Sequence, residues 1–126
     1  ITNKNKVLRT WNSGNYIKDS FLKGWSPAHP AFIVKKDVYK KYGSFNLKYK
    51  YAADIEIMYR FLMQLNCKYI YLDEILIKMR AGGTSNILKN IISQNLENIE
   101  IFKNEKKFNL FVFFVNKFIH RLKQFI

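Results

Sequence analysis

The run of residues 54–65 constrains the fold more than any other segment of the chain. Apolar side chains recur there at helical spacing, and two more fill neighbouring positions: Ile55, Ile57, Met58, Tyr59, Phe61, Leu62 and Leu65. A helix that is apolar around most of its circumference is buried by its neighbours. We therefore expect a central buried helix that begins at Asp54 and ends at Asn66.

Length and composition agree with a folded domain around that helix. The chain has 126 residues, of which 48% are hydrophobic and 25% charged, with only 5 Gly and 2 Pro. These values suit one domain and exclude disordered and collagen-like chains. The single cysteine, Cys67, forms no intramolecular disulfide and belongs to no zinc-ligand pattern, so a reducing cytoplasm is the expected compartment.

Short apolar runs predict β-strands at residues 31–34 and at residues 68–72 and 75–79, the last two as separate strands or as one strand bent at Asp73 and Glu74. Helical patterns occupy residues 38–42, 87–104 and the tail from about residue 108. Asp37 is predicted to cap the first of these helices and Gly43 to end it. The order of elements indicates an α/β fold, with short strands, a buried central helix and C-terminal helices.

Asp54 is the strongest candidate for a catalytic residue, because it opens the buried helix after a loop rich in Tyr and Lys. As an N-cap, its carboxylate would accept the N–H of Glu56 or Ile57 and stabilise the helix by about 1 kcal/mol. As a general base, it would take a proton from an incoming hydroxyl. The two roles do not exclude each other.

The other candidates each have a structural alternative. His29 is either a hydrogen-bonding loop residue or a site residue, and Gly82 and Gly83 form either a phosphate cradle or the turn of a loop. Cys67 is expected to be a packed thiol. Asp73 and Glu74 would point to opposite faces of a strand, so no carboxylate pair suited to a divalent metal is expected within the chain.

A series of short motifs carries a resemblance to a known family. They are residues 27–39 (PAHPAFIVKKDVY), 42–46 (YGSFN), 52–56 (AADIE), 60–62 (RFL) and 80–85 (RAGGTS). In this order, over about residues 25–86, they resemble the second half of bacterial family-2 glycosyltransferases of the GT-A fold. Members of this kind build capsule, exopolysaccharide and O-antigen chains.

The resemblance implies a partial, Rossmann-like GT-A architecture in three parts. Residues 1–24 would continue from a nucleotide-binding half, residues 25–86 would form the acceptor side of the catalytic domain, and residues 87–126 would add C-terminal helices. A D-x-D motif in the other half would hold Mg²⁺ or Mn²⁺ on a nucleotide-sugar donor. The acceptor would be a glycan or a lipid-linked glycan, and this chain would be incomplete as an enzyme.

The resemblance also implies roles for particular residues. Asp54 falls on the position of the general base of an inverting transfer, with Ala53 where the commoner family pattern has Glu. His29 would lie on the acceptor side of the cleft, and the loop with Arg80, Gly82 and Gly83 would lie near the donor phosphates. Arg60 is expected to pair with Glu56 at helical i,i+4 spacing.

The net charge of +13 is explained either by a Lys, Asn and Ile bias of the kind that an AT-rich genome produces or by one of two binding roles. Residues 1–50 carry +9 and residues 101–126 carry +5, whereas residues 51–100 carry −1. A basic module for nucleic acid would use exposed pairs such as Tyr49 and Lys50, although only four of the 22 basic residues are Arg. An apolar and basic helix at 108–126 would instead suit an anionic membrane surface, on the inner face of the cell membrane.

Overall fold

Regular secondary structure in the computed structural model, which describes residues 7–80 and 88–125, is entirely helical. The helices are α1 Lys36–Tyr42, α2 Ala53–Tyr59, α3 Leu88–Phe102 and α4 Leu110–Leu122. A π-helical turn, Arg60–Gln64, continues α2, and two 3₁₀ turns lie at Ser20–Lys23 and His29–Ala31. Because the described stretches contain no β-strand, the expected α/β, Rossmann-like GT-A architecture is wrong.

The predicted strands are absent for an identifiable reason. A strand needs a partner for its backbone hydrogen bonds and one covered face for its apolar side chains. Residues 31–34 overlap the 3₁₀ turn His29–Ala31 instead, and Ile33 is 83% exposed. Residues 68–72 contact the N-terminal segment through side chains, such as Tyr69 Oη to the Tyr16 carbonyl at 3.3 Å, and Ile75 is 75% exposed.

Helix α1 matches the predicted short helix but starts earlier. It begins at Lys36, so Asp37 lies inside the first turn rather than at the cap, and its carboxylate is 3.6 Å from Lys40 Nζ. Gly43 ends the helix as predicted. Its φ of 82° lies in the left-handed region, and its N–H donates to the Tyr39 carbonyl at 2.8 Å.

The central buried helix is confirmed. Ile57, Met58, Phe61 and Leu62 are all at most 5% exposed, across α2 and the π-helical turn that follows it. Asn66, with a φ of 48°, stands just beyond the end of this helical segment. The apolar residues that recur at helical spacing therefore form the buried helical segment around which the other helices pack.

Aromatic rings join the helices in the core. The Tyr59 ring of α2 lies 6.0 Å from Phe21 of the first 3₁₀ turn and 5.1 Å from Phe102 of α3. Phe102 in turn lies 5.6 Å from Phe113 of α4. The Tyr59 hydroxyl donates to Glu105, and burial raises the pKa of this phenol. One aromatic cluster thus connects the N-terminal segment, α2 and both C-terminal helices.

Gly24 lets the N-terminal segment approach α4 closely. A Cβ at this position would lie 2.5 Å from the Phe113 carbonyl oxygen and 2.7 Å from the Lys117 nitrogen, and the φ of Gly24 is +74°. Only glycine tolerates both conditions. The contact fixes α4 against the turn Ser20–Lys23.

The two C-terminal helices agree with the sequence patterns. Helix α3 falls within the predicted 87–104, and α4 falls within the tail. Asn109 caps α4, since its side-chain oxygen accepts the Val112 N–H at 3.0 Å. In the stretches that the structure describes, none of the helices has both the length and the apolar content needed to traverse a bilayer.

Candidate functional site

Asp54 and His29 come together at the mouth of an open cleft. Asp54 is the second residue of α2, and His29 begins the 3₁₀ turn His29–Ala31 that packs against this helix. His29 Nδ1 lies 3.2 Å from Asp54 Oδ2. The imidazole is 53% exposed and the carboxylate 26%, so both groups can be reached from solvent. Two residues that the sequence suggested separately therefore form a pair.

The N-cap interpretation of Asp54 is wrong. Ala52 occupies the cap position of α2, and no side chain within the helix caps it. Asp54 Oδ1 accepts the N–H of the adjacent Ile55 at 2.9 Å, rather than that of Glu56 or Ile57. Oδ2 faces His29. The carboxylate is thus held at the rim of the cleft by a local contact and the imidazole.

Glu97 of α3, and not Asp54, accepts hydrogen bonds from the backbone N–H groups just before α2. Its Oε1 accepts the Lys50 N–H at 3.0 Å, and its Oε2 accepts the N–H groups of Tyr51 and Ala52 at 2.8 and 2.7 Å. Gln94, one turn earlier on α3, donates to the Tyr51 carbonyl at 3.2 Å. These bonds hold the loop that leads directly into Asp54.

The sequence reasoning missed Glu97 and Gln94. The signal available was weak: two polar residues at i,i+3 spacing on a helix in which polar and apolar residues alternate in roughly equal number. Their partners lie more than 40 positions away in the chain, and no local pattern indicates such a contact.

Lys117 of α4 is a second site residue that the sequence reasoning did not single out. It is half-buried, lines the same cleft as Asp54, and donates from Nζ to Asn95 Oδ1 at 2.7 Å. The pKa of Lys117 is lowered to about 8, mainly by burial and also by repulsion from Arg121, while attraction to the Asp54 carboxylate acts in the opposite direction. The cleft therefore contains a cation on the side formed by α4.

The remaining predicted residues have mixed outcomes. Arg80 is exposed and lines the cleft, but it forms no hydrogen bond or ion pair with Asp54 or His29. Gly82 and Gly83 lie outside the described residues. The predicted pair of Arg60 with Glu56 is confirmed at 2.8 Å.

The contacts of Arg60 and Cys67 stabilise the fold. The Arg60 guanidinium also donates to the carbonyls of Tyr42 and Ser44, at 2.6 and 2.7 Å, and so joins the π-helical turn after α2 to the C-terminal end of α1. Cys67 is half-buried and packs against the core, as expected of a packed thiol.

Metal ligands are not apparent in the part of the chain that the structure describes. There, no three His, Cys, Asp or Glu side chains gather into a group that could hold a metal ion. Asp73 instead accepts hydrogen bonds from Asn12 Nδ2 and the Tyr71 hydroxyl, each at 3.1 Å. Mg²⁺ or Mn²⁺ remains an expectation from the family resemblance, without assigned ligands.

Comparison with protein-family models, with curated proteins and with solved structures finds no match for this chain in any of the three. The family resemblance therefore stays a prediction, and any function has to be argued from the geometry of the site itself.

Proposed function

We propose that the chain is part of an inverting glycosyltransferase of cell-surface polysaccharide synthesis, with Asp54 as its general base. The observation that supports this most is the Asp54 and His29 pair, 3.2 Å apart on the rim of the cleft. Because Glu97 accepts the backbone N–H groups just before α2, Asp54 Oδ2 is not needed to cap the helix. The carboxylate remains available to a substrate hydroxyl.

The chemistry requires one carboxylate in this position. As the acceptor oxygen attacks the anomeric carbon of a nucleotide sugar, its proton passes to Asp54 Oδ2, and the bond to the nucleoside diphosphate breaks. The His29 imidazole, whose Nδ1 lies 3.2 Å from Asp54 Oδ2, would orient the carboxylate toward the acceptor. A divalent metal, when bound, would stabilise the charge of the departing diphosphate.

The direct test replaces Asp54 with asparagine in the full-length protein. Transfer of labelled sugar from a panel of nucleotide sugars to a lipid-linked or glycan acceptor is measured for Asp54→Asn and for Asp37→Asn. Asp37 is a matched control, because it is the second residue of α1 and its side chain is 91% exposed. Loss of a general base lowers the rate by about a hundredfold or more, whereas the control keeps it.

His29→Asn separates the base from the residue that orients it. If Asp54 is the base, His29→Asn lowers kcat by about tenfold, much less than Asp54→Asn, because one polar contact is lost and the base remains. A larger loss in His29→Asn than in Asp54→Asn would point to the imidazole as the base, and equal losses would contradict the orienting role given to His29. Full activity of Asp54→Asn would remove the carboxylate from the mechanism.

The outward face of α4 favours a second role, docking on an anionic membrane surface. Phe111, Val115, Phe118 and Leu122 share one side of the helix at i, i+4, i+7 and i+11, and are 77, 40, 63 and 49% exposed. Residues 106–125 contain five basic side chains and no acidic one. Lys107 pairs with Asp19, and the other four are not in ion pairs among the described residues. An exposed apolar stripe beside an excess of positive charge matches a helix that lies in the interface of an anionic bilayer.

Vesicle co-sedimentation tests the membrane role. The double variant Phe111→Ser with Phe118→Ser should bind phosphatidylglycerol vesicles at least tenfold more weakly, because two exposed rings no longer enter the interface. Leu47→Ser, which changes a side chain that is 94% exposed in the 46–52 loop, is the control. Equal binding by wild type and the double variant, or loss in the control, would contradict the proposal.

The structure offers less support for nucleic-acid binding. The loop with Tyr49 and Tyr51 is turned toward α3, where Lys48 pairs with Glu100 and the Lys50 N–H binds Glu97. The Lys48 and Lys50 ammonium groups lie 5.6 and 5.5 Å from the rings of their neighbouring tyrosines. The pairs that would stack on bases are thus occupied by contacts within the chain.

A further inference from the structure

Three basic side chains from the two ends of the chain converge at the C-terminal half of α4. Lys117 and Arg121 are separated by one helical turn and share a face of α4. Arg9 is brought beside them because the Thr10 N–H donates to the Gln124 carbonyl at 2.9 Å. All three side chains line the open cleft that also contains Asp54.

These cations repel one another, and no carboxylate within residues 7–80 and 88–125 pairs with them. Burial is the main cause that lowers the pKa values of Arg9 and Lys117, and repulsion from Arg121 lowers both further. Among the described residues, none of the three forms an ion pair, and Asp54 attracts Lys117 without contacting it at ion-pair distance. A protein that gathers like charges in this way raises its own free energy unless an anion neutralises them.

Helix electrostatics explain only part of the cluster. Cations in the last turn of a helix interact favourably with its dipole, which accounts for Arg121. Lys117 lies in the middle of α4 and is half-buried, and Arg9 comes from the opposite end of the sequence. Neither position gains from the helix terminus.

We propose that Arg9, Lys117 and Arg121 form a binding site for a phosphoryl group, and for a diphosphate in particular. Two guanidinium groups can each bind phosphate oxygens through a pair of parallel N–H donors. Lys117 Nζ donates one hydrogen bond to Asn95 and retains two N–H groups for a ligand. Three cations around one opening match an anion with several negative oxygens better than they match a single carboxylate.

This site does not depend on the sugar-transfer chemistry, because it would bind phosphate whether or not Asp54 acts as a base. The phosphoryl group could belong to a soluble diphosphate or to a lipid headgroup. Both sources present the same oxygens to the same three side chains, and the experiment distinguishes them.

The probe is inorganic pyrophosphate, titrated into the whole chain by calorimetry at moderate salt. Arg9→Met, Lys117→Met and Arg121→Met are compared with wild type, and Lys106→Met is the matched control, since Lys106 is exposed and outside the cleft. Each cluster variant should bind pyrophosphate about tenfold more weakly, from the loss of one charge-assisted contact. The control should stay within about twofold of wild type, and Asp54→Asn should bind more tightly.

A second arm replaces pyrophosphate with vesicles that contain a diphosphate lipid in neutral phosphatidylcholine. Losses confined to this arm assign the site to a lipid headgroup, and losses in both arms assign it to the diphosphate whatever its carrier. If the control loses as much affinity as the cluster variants, or if wild type binds neither probe, the cluster is not a phosphoryl site. Circular dichroism of each variant confirms that lost binding is not lost folding.

Discussion

Replacing Lys117 with methionine should make the chain more stable at neutral pH, although it removes a hydrogen bond. Methionine has a similar length and no charge, so it can occupy the half-buried channel between α3 and α4. The folded structure holds the Lys117 pKa at about 8, below the ordinary 10.5, chiefly because burial disfavours the ammonium ion. Folding is therefore opposed by this one charge.

The magnitude follows from the shift of the pKa. A decrease from 10.5 to about 8 corresponds at pH 7 to about 3 kcal/mol of destabilisation of the folded state. Loss of the 2.7 Å bond to Asn95, which water can replace, returns about 1 kcal/mol. The free energy of unfolding of Lys117→Met should thus exceed that of wild type by about 2 kcal/mol.

The sign of the pH dependence provides a sharper test. Between the folded pKa near 8 and the unfolded value near 10.5, the unfolded chain binds more protons at Lys117 than the folded chain does. The stability contribution of this residue therefore rises with pH across that window. At about pH 9.5 wild type should have regained about 2 kcal/mol relative to the variant, which nearly removes the difference between them.

Urea unfolding of both proteins at pH 7 and about pH 9.5, followed by the fluorescence of Trp11 and Trp25, measures these values. Comparing the variant with wild type at each pH cancels the titration of the other lysines and tyrosines. A variant less stable than wild type at pH 7 would refute the argument. So would a difference that does not shrink as the pH rises.

Three further substitutions test the contacts that hold the site in place. Gly24→Ala should lower the free energy of unfolding by about 2 to 4 kcal/mol, measured by urea unfolding. The reason is that the new Cβ would lie 2.5 Å from the Phe113 carbonyl oxygen, at a residue with a positive φ. A loss below about 1 kcal/mol would show that α4 shifts to make room for the methyl group. Glu97→Gln should cost about 1 to 2 kcal/mol in the same assay, since one amide oxygen replaces a carboxylate that accepts three N–H groups. An unchanged midpoint would mean that the loop before α2 is held by other contacts. Asn109→Ala should cost about 1 kcal/mol through loss of the α4 cap, and Asn109→Asp, which keeps an acceptor, should restore it.

The helices could be predicted from the sequence, whereas the strands could not, for a physical reason. The apolar side chains of residues 54–65 recur with the period of a helix, so the local sequence pattern is enough to predict the buried helix. A short apolar run such as 75–79 becomes a strand only if another segment pairs with it, and Ile75 is 75% exposed where no such partner is described. The sequence pattern shows that such a run is able to form a strand, but it does not show whether another segment pairs with it.

The candidate site likewise contains residues that local sequence motifs indicate and residues that they do not. Asp54 and His29 were recognisable because each belongs to a local motif, and the structure places them in contact. Glu97 and Lys117 act on that region from α3 and α4, across separations of more than 40 residues. Nothing near either residue in the sequence indicates what it faces.

The division of the chain at residue 86, which follows the extent of the family resemblance, does not coincide with the packing of the described residues. Glu97 supplies three hydrogen-bond acceptors to the backbone just before Asp54, and Phe102 and Phe113 lie in the aromatic core with Tyr59. The C-terminal helices are therefore part of the structure that holds the Asp54 carboxylate in place. Because α4 also contributes Lys117 to the cleft and an apolar stripe to the surface, this helix would bring the proposed phosphoryl site and the proposed membrane contact close to Asp54, the proposed base.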